Sequence, residues 1–294
     1  MDKLFKSLVF DGSMSLSILD TTDMVNKAIK YHGLSPLAAA TLGRTLTATT
    51  FMASGLKNEK DDISVTIAGD GVGGKVTVCG NGKLYMRGSI ENPNAYLPLK
   101  SNGKLDVGGC VGKGRLTVVK SMGLKDPYSG SSELISGEIA EDFAYYFATS
   151  EQIPTAMALG VKIGKNGKCV GAGGVILQAL PFASEEALNK AESIMGELSK
   201  VSTLIEEGGI EGVKDKFFKG IDGETYYPRY KCLCSDKKIV SVLRSLGEKE
   251  TRKMVEEDGK IEVVCQFCNK KYVYFKEDVD TIFNQDVKRK NTKI

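Results

Sequence analysis

Seven cysteines are spread unevenly over the 294 residues. Cys79, Cys110 and Cys169 stand singly among apolar and glycine-rich neighbours, the setting of a small buried hydrophobe. The other four form two close pairs, Cys232-Leu233-Cys234 and, 30 intervening residues later, Cys265-Gln266-Phe267-Cys268. Four thiolates complete a tetrahedral zinc shell, with sulfur about 2.3 Å from the metal. C-x-x-C is the usual turn that aims two sulfurs at one ion. C-x-C is less common, and the separation exceeds the ~15–20 residues of zinc ribbons. The strand–turn–strand pattern around the second pair suits a zinc knuckle, and the sequence predicts one zinc on Cys232, Cys234, Cys265 and Cys268. Spacing alone favours a purely structural ion over a redox role. Zinc nevertheless keeps sulfur deprotonated, and thiolates are the species that oxidants attack. A disulfide between Cys232 and Cys234 would close a small strained ring of the labile, regulatory kind.

Other chemistries are poorly supplied. With a single histidine, His32, histidine-based metal sites and Ser-His-Asp hydrolysis are nearly excluded. His32 precedes Gly33 at the end of an apolar-periodic segment, where a helix-terminal imidazole is the plain reading. Gly69-Asp70-Gly71-Val72-Gly73-Gly74 formally fits the dinucleotide fingerprint, but a helix must follow it to hold the pyrophosphate. Lys75-Val76-Thr77-Val78 is instead β-branched and alternating, and Val76 sits where a P-loop requires Ser or Thr, so a glycine-rich β-turn is expected. No catalytic residue is nominated and no enzymatic activity is expected. The chain carries 40 basic and 37 acidic residues, too balanced for a dedicated nucleic-acid binder. Residues 231–294 hold 15 basic and 11 acidic residues, but Arg229, Lys231, Lys237, Lys238, Lys270 and Lys271 lie where they could compensate the net −2 of a zinc tetrathiolate. No apolar run approaches the ~18 residues of a membrane span. The N-terminus reads as lacking a secretory signal, so a cytoplasmic protein is expected.

The elements that must position the cysteines fall into three parts. Residues 1–180 read as a glycine-rich α/β or α+β core domain: a hairpin of Leu4–Phe10 and Met14–Leu19 around Asp11-Gly12, and helices over Thr22–Tyr31 and Ser35–Leu56, each opened by a hydroxyl that can cap it. A β-meander follows from Ile63 to about Val118, then a helix over Glu138–Thr149 and strands near Ala156–Ile163 and Gly174–Leu180. Phe143, Tyr146 and Phe147 share a helical face that core packing explains.

Residues 181–230 form a helical linker arm. Ser184 with Glu185 and Glu186 starts a helix whose apolar stripe is Leu188, Ala191, Met195, Leu198 and Ile205, with Gly208-Gly209 as its stop and a second short segment at Val213–Phe218. With no core of its own, the arm must lie on another domain to bury that stripe, either as a rigid cover or as a releasable one. Residues 231–294 form a small domain of three helices (Ile239–Leu246, Glu248–Glu257, Lys276–Phe283) and two strands (Ile261–Val264, Tyr272–Phe275). Its core is small enough to need a metal. The fold class is thus α+β: a large core domain, an amphipathic helical linker and a small C-terminal zinc-binding domain.

The sequence resembles the redox-regulated heat shock protein 33 family, also called the 33 kDa chaperonins, over nearly its whole length. The resemblance rests on the C-x-C, ~30-residue gap and C-x-x-C pattern with its flanks Cys232-Leu233-Cys234-Ser235 and Phe267-Cys268-Asn269-Lys270-Lys271-Tyr272. It rests too on Ser136-Gly137-Glu138-Ile139-Ala140-Glu141-Asp142-Phe143-Ala144-Tyr145-Tyr146-Phe147, continuing to Ser150-Glu151-Gln152-Ile153-Pro154. The resemblance implies an ATP-independent holdase, inactive when reduced and zinc-bound and activated by oxidants, usually with unfolding stress. It implies Cys232–Cys234 and Cys265–Cys268 disulfides, zinc loss, unfolding of the small domain and arm, and capture of unfolding proteins, often as a homodimer, for transfer to ATP-dependent chaperones. Two other readings stand beside it: a zinc-ribbon RNA-binding protein using basic residues with Tyr272 or Tyr274, and a C-x-x-C oxidoreductase, for which no thioredoxin-like βαβ context surrounds Cys265.

Overall fold

A computed structural model describes residues 1–181 and 183–290, which fall into two compact units, Met1–Lys231 and a second beginning at Cys232. The arm therefore belongs to the compact body of the first unit.

The first unit opens with the hairpin β1 (Lys3–Val9) and β2 (Met14–Asp20), joined through Phe10, Asp11 and Gly12, all at positive φ. Helices α1 (Thr22–His32) and α2 (Pro36–Ala53) follow. Next come β3 (Asp62–Gly69), β4 (Val76–Asn81), β5 (Tyr85–Ile90), a short α3 (Val107–Val111), β6 (Gly114–Ser121) and β7 (Tyr128–Glu133). The unit continues with α4 (Ala140–Tyr146), β8 (Thr155–Ile163), β9 (Cys169–Ala179), α5 (Glu185–Glu197), α6 (Val201–Phe217), β10 (Glu224–Tyr226) and β11 (Arg229–Tyr230). The strands make two sheets, ordered β10-β1-β2-β9-β8 and β11-β5-β4-β3-β6-β7. All pairings are antiparallel except that of β11 with β5.

Helix α2 packs against strands of both sheets and is buried at sixteen of its eighteen residues. A helix so rich in threonine tolerates this because four of its five threonine hydroxyls are satisfied internally, the buried Thr49 hydroxyl being the exception. Thr41, Thr45, Thr47 and Thr50 each donate to the carbonyl four residues earlier, at 2.7–2.9 Å. Ser35 caps the helix by accepting from the Ala38 amide. The expected cap of α1 is realised differently: Thr21 makes no side-chain cap bond, and Asp2 reaches over to accept from the Asp23 amide at 2.9 Å.

The glycine-rich run at 69–74 is the turn between β3 and β4, as its residues indicate, and no helix follows it. Its glycines serve close approach: a Cβ on Gly71 would strike the backbone of Cys110 and Val111. Phe143, Tyr146 and Phe147 are core residues, with the Phe147 ring 5.7 Å from that of Phe51. Asp142, fully buried in the same motif, accepts four backbone N–H bonds from Ile135, Ser136, Gly137 and Ile139, at 2.8–3.2 Å. That anchorage holds Ile139 at φ 73°, a conformation a β-branched residue adopts only under constraint. His32 terminates α1 with its Nε2 3.1 Å from the Gly88 carbonyl oxygen, a structural placement.

The first sheet is apolar on both faces. Leu4, Leu19 and Ile176 join α2 in the main core, whereas Phe5, Leu16, Ile18, Val175 and Leu177 face the arm. The period-2 alternation of side chains along a strand divides them in this way.

The second unit contains α7 (Asp236–Leu246), α8 (Glu248–Asp258), the antiparallel hairpin β12 (Ile261–Val264) and β13 (Lys271–Tyr274), and α9 (Lys276–Lys290). Its core is small: Leu243, Val255, Ile261, Tyr272, Tyr274, Val279, Ile282 and Phe283. Polar ties supplement it, with Arg244 donating to the Ile282 carbonyl and Arg252 pairing with Asp280.

Candidate metal centre

Cys265–Cys268 lies in the turn of the β12–β13 hairpin. The turn closes through Cys265 N–H to Lys270 O at 3.0 Å and Asn269 N–H to Cys265 O at 2.8 Å, with Asn269 at φ 55°. This αL residue, a conformation asparagine tolerates, folds the chain back so that both sulfurs point the same way. The other pair is positioned by the start of α7. Ser235 caps that helix, accepting from the Lys238 amide, and Tyr274 of β13 donates to Asp236 at 2.8 Å, which fixes the helix start to the hairpin.

The outcome is a cluster. The four sulfurs all lie within 4.8 Å of one another, with Cys232 Sγ 3.6 Å from Cys265 Sγ and Cys234 Sγ 3.5 Å from Cys268 Sγ. Sulfurs each about 2.3 Å from a common centre stand about 3.8 Å apart at the corners of a tetrahedron. A disulfide requires about 2.05 Å, so the four are free thiols in an arrangement fit for one soft, tetrahedral ion. Among the described residues they are the one group of three or more His, Cys, Asp or Glu side chains so assembled.

The electrostatics favour thiolate at one corner. Burial pushes the Cys234 thiol up, but the Tyr272 hydroxyl, donating to its sulfur at 3.2 Å, and the neighbouring thiols bring it down to about 7. Burial raises Cys232 and Cys268 instead, because loss of solvent penalises the charged thiolate. The sequence gives no hint of the Tyr272 contact beyond an aromatic at alternate strand positions. Tyr272 and Tyr274 are 6% and 5% exposed, with rings in the module core and hydroxyls engaged, so neither is free to stack on a base. Two of the bases suggested to offset the cluster's charge are occupied elsewhere. Lys231 lies over the Tyr85 ring at 4.2 Å, and Lys271 pairs with Glu262 at 3.0 Å.

The arm is docked. Ser184 caps α5 by accepting from the Ala187 amide, and Ala187, Ala191, Leu198, Val201, Ile205, Ile210 and Val213 pack on the outer face of the first sheet. Four residues of the expected stripe lie at this contact: Ala191, Leu198 and Ile205 are buried and Met195 is partly buried against them. Leu188 does not belong, because it is 41% exposed while Ala187 turns inward. Gly208-Gly209 breaks the helix, as its composition indicates. Gly209, at φ 58° and ψ −150°, is non-helical and divides α6 into two helical pieces, the second of which runs to Phe217 and contains most of the segment expected at Val213–Phe218. β10 and β11, which sequence reasoning missed, tie the last residues of the arm to one edge of each sheet, with the Tyr230 hydroxyl donating to Gly88 O at 2.9 Å. They are too short and too polar to show periodicity.

Comparison with known proteins meets this geometry from outside. Residues 2–275 match the family model described as Hsp33 protein. The chain belongs to the Hsp33 family. Among relatives, the 33 kDa chaperonin of Clostridium perfringens is 42% identical over 293 residues, covering 98% of this chain and 93% of its own. That of Clostridium tetani is 43% identical over 283 residues, covering 95% and 96%. The crystal structure of the Thermotoga maritima 33 kDa chaperonin (heat shock protein 33 homolog) superposes with a TM-score of 0.88 at 35% identity, covering 97% of this chain and 99% of that one. No helix among the described residues is long and apolar enough to cross a membrane.

The remaining cysteines belong to the first unit, not to the Hsp33-type cluster of the second. Burial pushes the Cys110 thiol up and that of Cys169 to about 12, which makes both poor nucleophiles. Cys79 is half-buried, 3.5 Å from the Ser64 hydroxyl. Replacing all three by alanine or serine is expected to preserve activation by oxidant, measured as aggregation suppression before and after peroxide. Loss of activation in a folded variant would place the redox chemistry elsewhere.

Proposed function

We propose that this chain is a redox-regulated, ATP-independent chaperone, a holdase that captures unfolding proteins under oxidative stress in the cytoplasm. The observation that carries the reading is the four-thiol cluster, which joins two chain segments 30 residues apart within a module of little core of its own. Cys232, Cys234, Cys265 and Cys268 would hold one zinc, which when bound keeps the sulfurs as thiolates and contributes folding free energy to the module. No catalytic residue is assigned, in keeping with a binding function.

The switch follows from the thiols. Each pair, Cys232 with Cys234 and Cys265 with Cys268, would give two electrons to a peroxide as one S–S bond forms and the O–O bond breaks; two protons, taken from solvent because the sulfurs start as thiolates, complete two waters. The product has no thiolate to offer a metal, and the hairpin turn and the start of α7 lose their common anchor. The module then unfolds, and the arm, whose face is Ala191, Met195, Leu198 and Ile205, is released. Release uncovers Phe5, Leu16, Ile18, Val175 and Leu177 together with the arm's own apolar side, a contiguous surface of the kind that binds unfolded chains. The active form would be a homodimer that passes clients to ATP-dependent chaperones.

A peroxide titration tests the reading. Zinc release, followed with a chromogenic chelator, should rise in step with suppression of light scattering by a heat-unfolding protein. Full suppression by the reduced, zinc-loaded chain, or none after complete zinc release, would overturn it.

A further inference from the structure

The arm meets the sheet most closely at two glycines. Gly160 of β8 and Gly171 of β9 lie on the arm-facing side, where Gly160 is registered opposite Gly173 and Gly171 opposite Lys162. A Cβ on Gly160 would stand 2.8 Å from the Ser202 amide nitrogen and 2.9 Å from the Ser202 Cβ and Val201 Cγ1. A Cβ on Gly171 would run into the Ser202 carbonyl oxygen and come within 3.0 Å of the Glu206 nitrogen and Cβ. Three of these six neighbours are helix backbone atoms and two more are Cβ atoms fixed directly to it, none of which can swing aside as the end of a flexible side chain does. Neither glycine has the positive φ that would call for glycine on conformational grounds. Strand propensity disfavours glycine at both positions, so the sheet by itself would be better served by alanine. Close approach of the first turns of α6 is the remaining reason for them, and the Lys162–Glu206 ion pair at 2.5 Å closes over the same spot.

We propose that Gly160 and Gly171 form a steric seat for α6 at Ser202 and that this seat, in the core domain and remote in sequence from the four clustered cysteines, sets how firmly the arm is held. The seat rests on the reading of the arm as a releasable cover and extends it to the residues that tune release. Contact here is sheet backbone against helix backbone and Cβ atoms, so a single added methyl group on the sheet lifts the start of α6, and with it Val201 and Ile205, from the apolar face. Elsewhere the arm is forgiving: a Cβ on Gly196 of α5 would meet nothing within 4 Å.

The test uses the full-length, reduced, zinc-loaded chain and its Gly171→Ala, Gly160→Ala/Gly171→Ala and Gly196→Ala variants. Limited proteolysis maps cleavage, and zinc content and aggregation suppression are measured on the same samples. The seat variants should be cut within residues 184–218 about tenfold faster or more, with zinc retained and residues 1–180 protected; this is the scale of overpacking a well-fitted contact. Gly196→Ala should match the parent. Equal cleavage of parent and seat variants would overturn the seat, and so would cleavage throughout residues 1–180, which would make the glycines a need of the sheet itself. Faster arm cleavage without aggregation suppression would uphold the seat and refute arm release as the origin of holdase activity.

Discussion

Replacing Leu198 with aspartate should turn the reduced, metal-bound protein into a constitutive holdase. Leu198 sits in the short turn between α5 and α6, 1% exposed, among Val201, Ile205 and the sheet residues beneath. Removing a buried leucine and placing a carboxylate against that apolar face should weaken docking by about 2–4 kcal/mol. The arm has little else to keep it helical, since segments of its length are marginal in water and draw their stability from the face they bury. The core domain should survive, because Leu198 lies outside the main cluster around α2. The expected observations are aggregation suppression without oxidant, rapid proteolysis confined to 184–218 and an undiminished zinc content. A variant that stays inactive until oxidised, with an equally protected arm, would show that the client surface lies elsewhere. Leu188→Asp is the matched control: its partly exposed side chain predicts little change.

Replacing Cys265 and Cys268 together with serine should unfold the second unit and leave the first folded. A structural zinc supplies an apparent ~10–16 kcal/mol to a small module at neutral pH. A core of eight buried apolar side chains in a unit this size yields only about 3–5 kcal/mol. The hydroxyl of serine is not a soft anionic ligand, so half the donor set is lost. Amide exchange should show α7, α8 and the β12–β13 hairpin unprotected, with the strands of both sheets in the first unit protected as in the parent. A second unit that keeps its protection without the metal would show that its own core suffices.

Much of this was legible in the sequence because the relevant signals are local. Ser184 and Ser35 lie immediately before apolar-periodic runs, and both cap their helices. The glycine run at 69–74 is legible as a turn from the β-branched residues after it. The four cysteines assemble because one pair sits on a knuckle turn and the other on a helix start, both encoded within a few residues. What escaped depends on distant partners. Leu188 satisfies the helical spacing, yet the sheet beneath is met by Ala187, a choice fixed by the crossing of helix on sheet. Gly208-Gly209 carries the composition of a stop and Gly209 is non-helical, but that Ile210 and Val213 of the following piece return to the same sheet face is set by packing and has no local signature. The Tyr272–Cys234 contact joins residues 38 apart in sequence and has no local signature.

The most direct test is to follow amide exchange across residues 184–218 while the protein is titrated with peroxide, with aggregation suppression measured at each point. The account predicts that the amides of α5 and α6 are protected in the reduced protein and exchange freely after oxidation, and that the fraction deprotected tracks the fraction of full chaperone activity. A fully active, oxidised protein whose arm remains as protected as in the reduced state would contradict it.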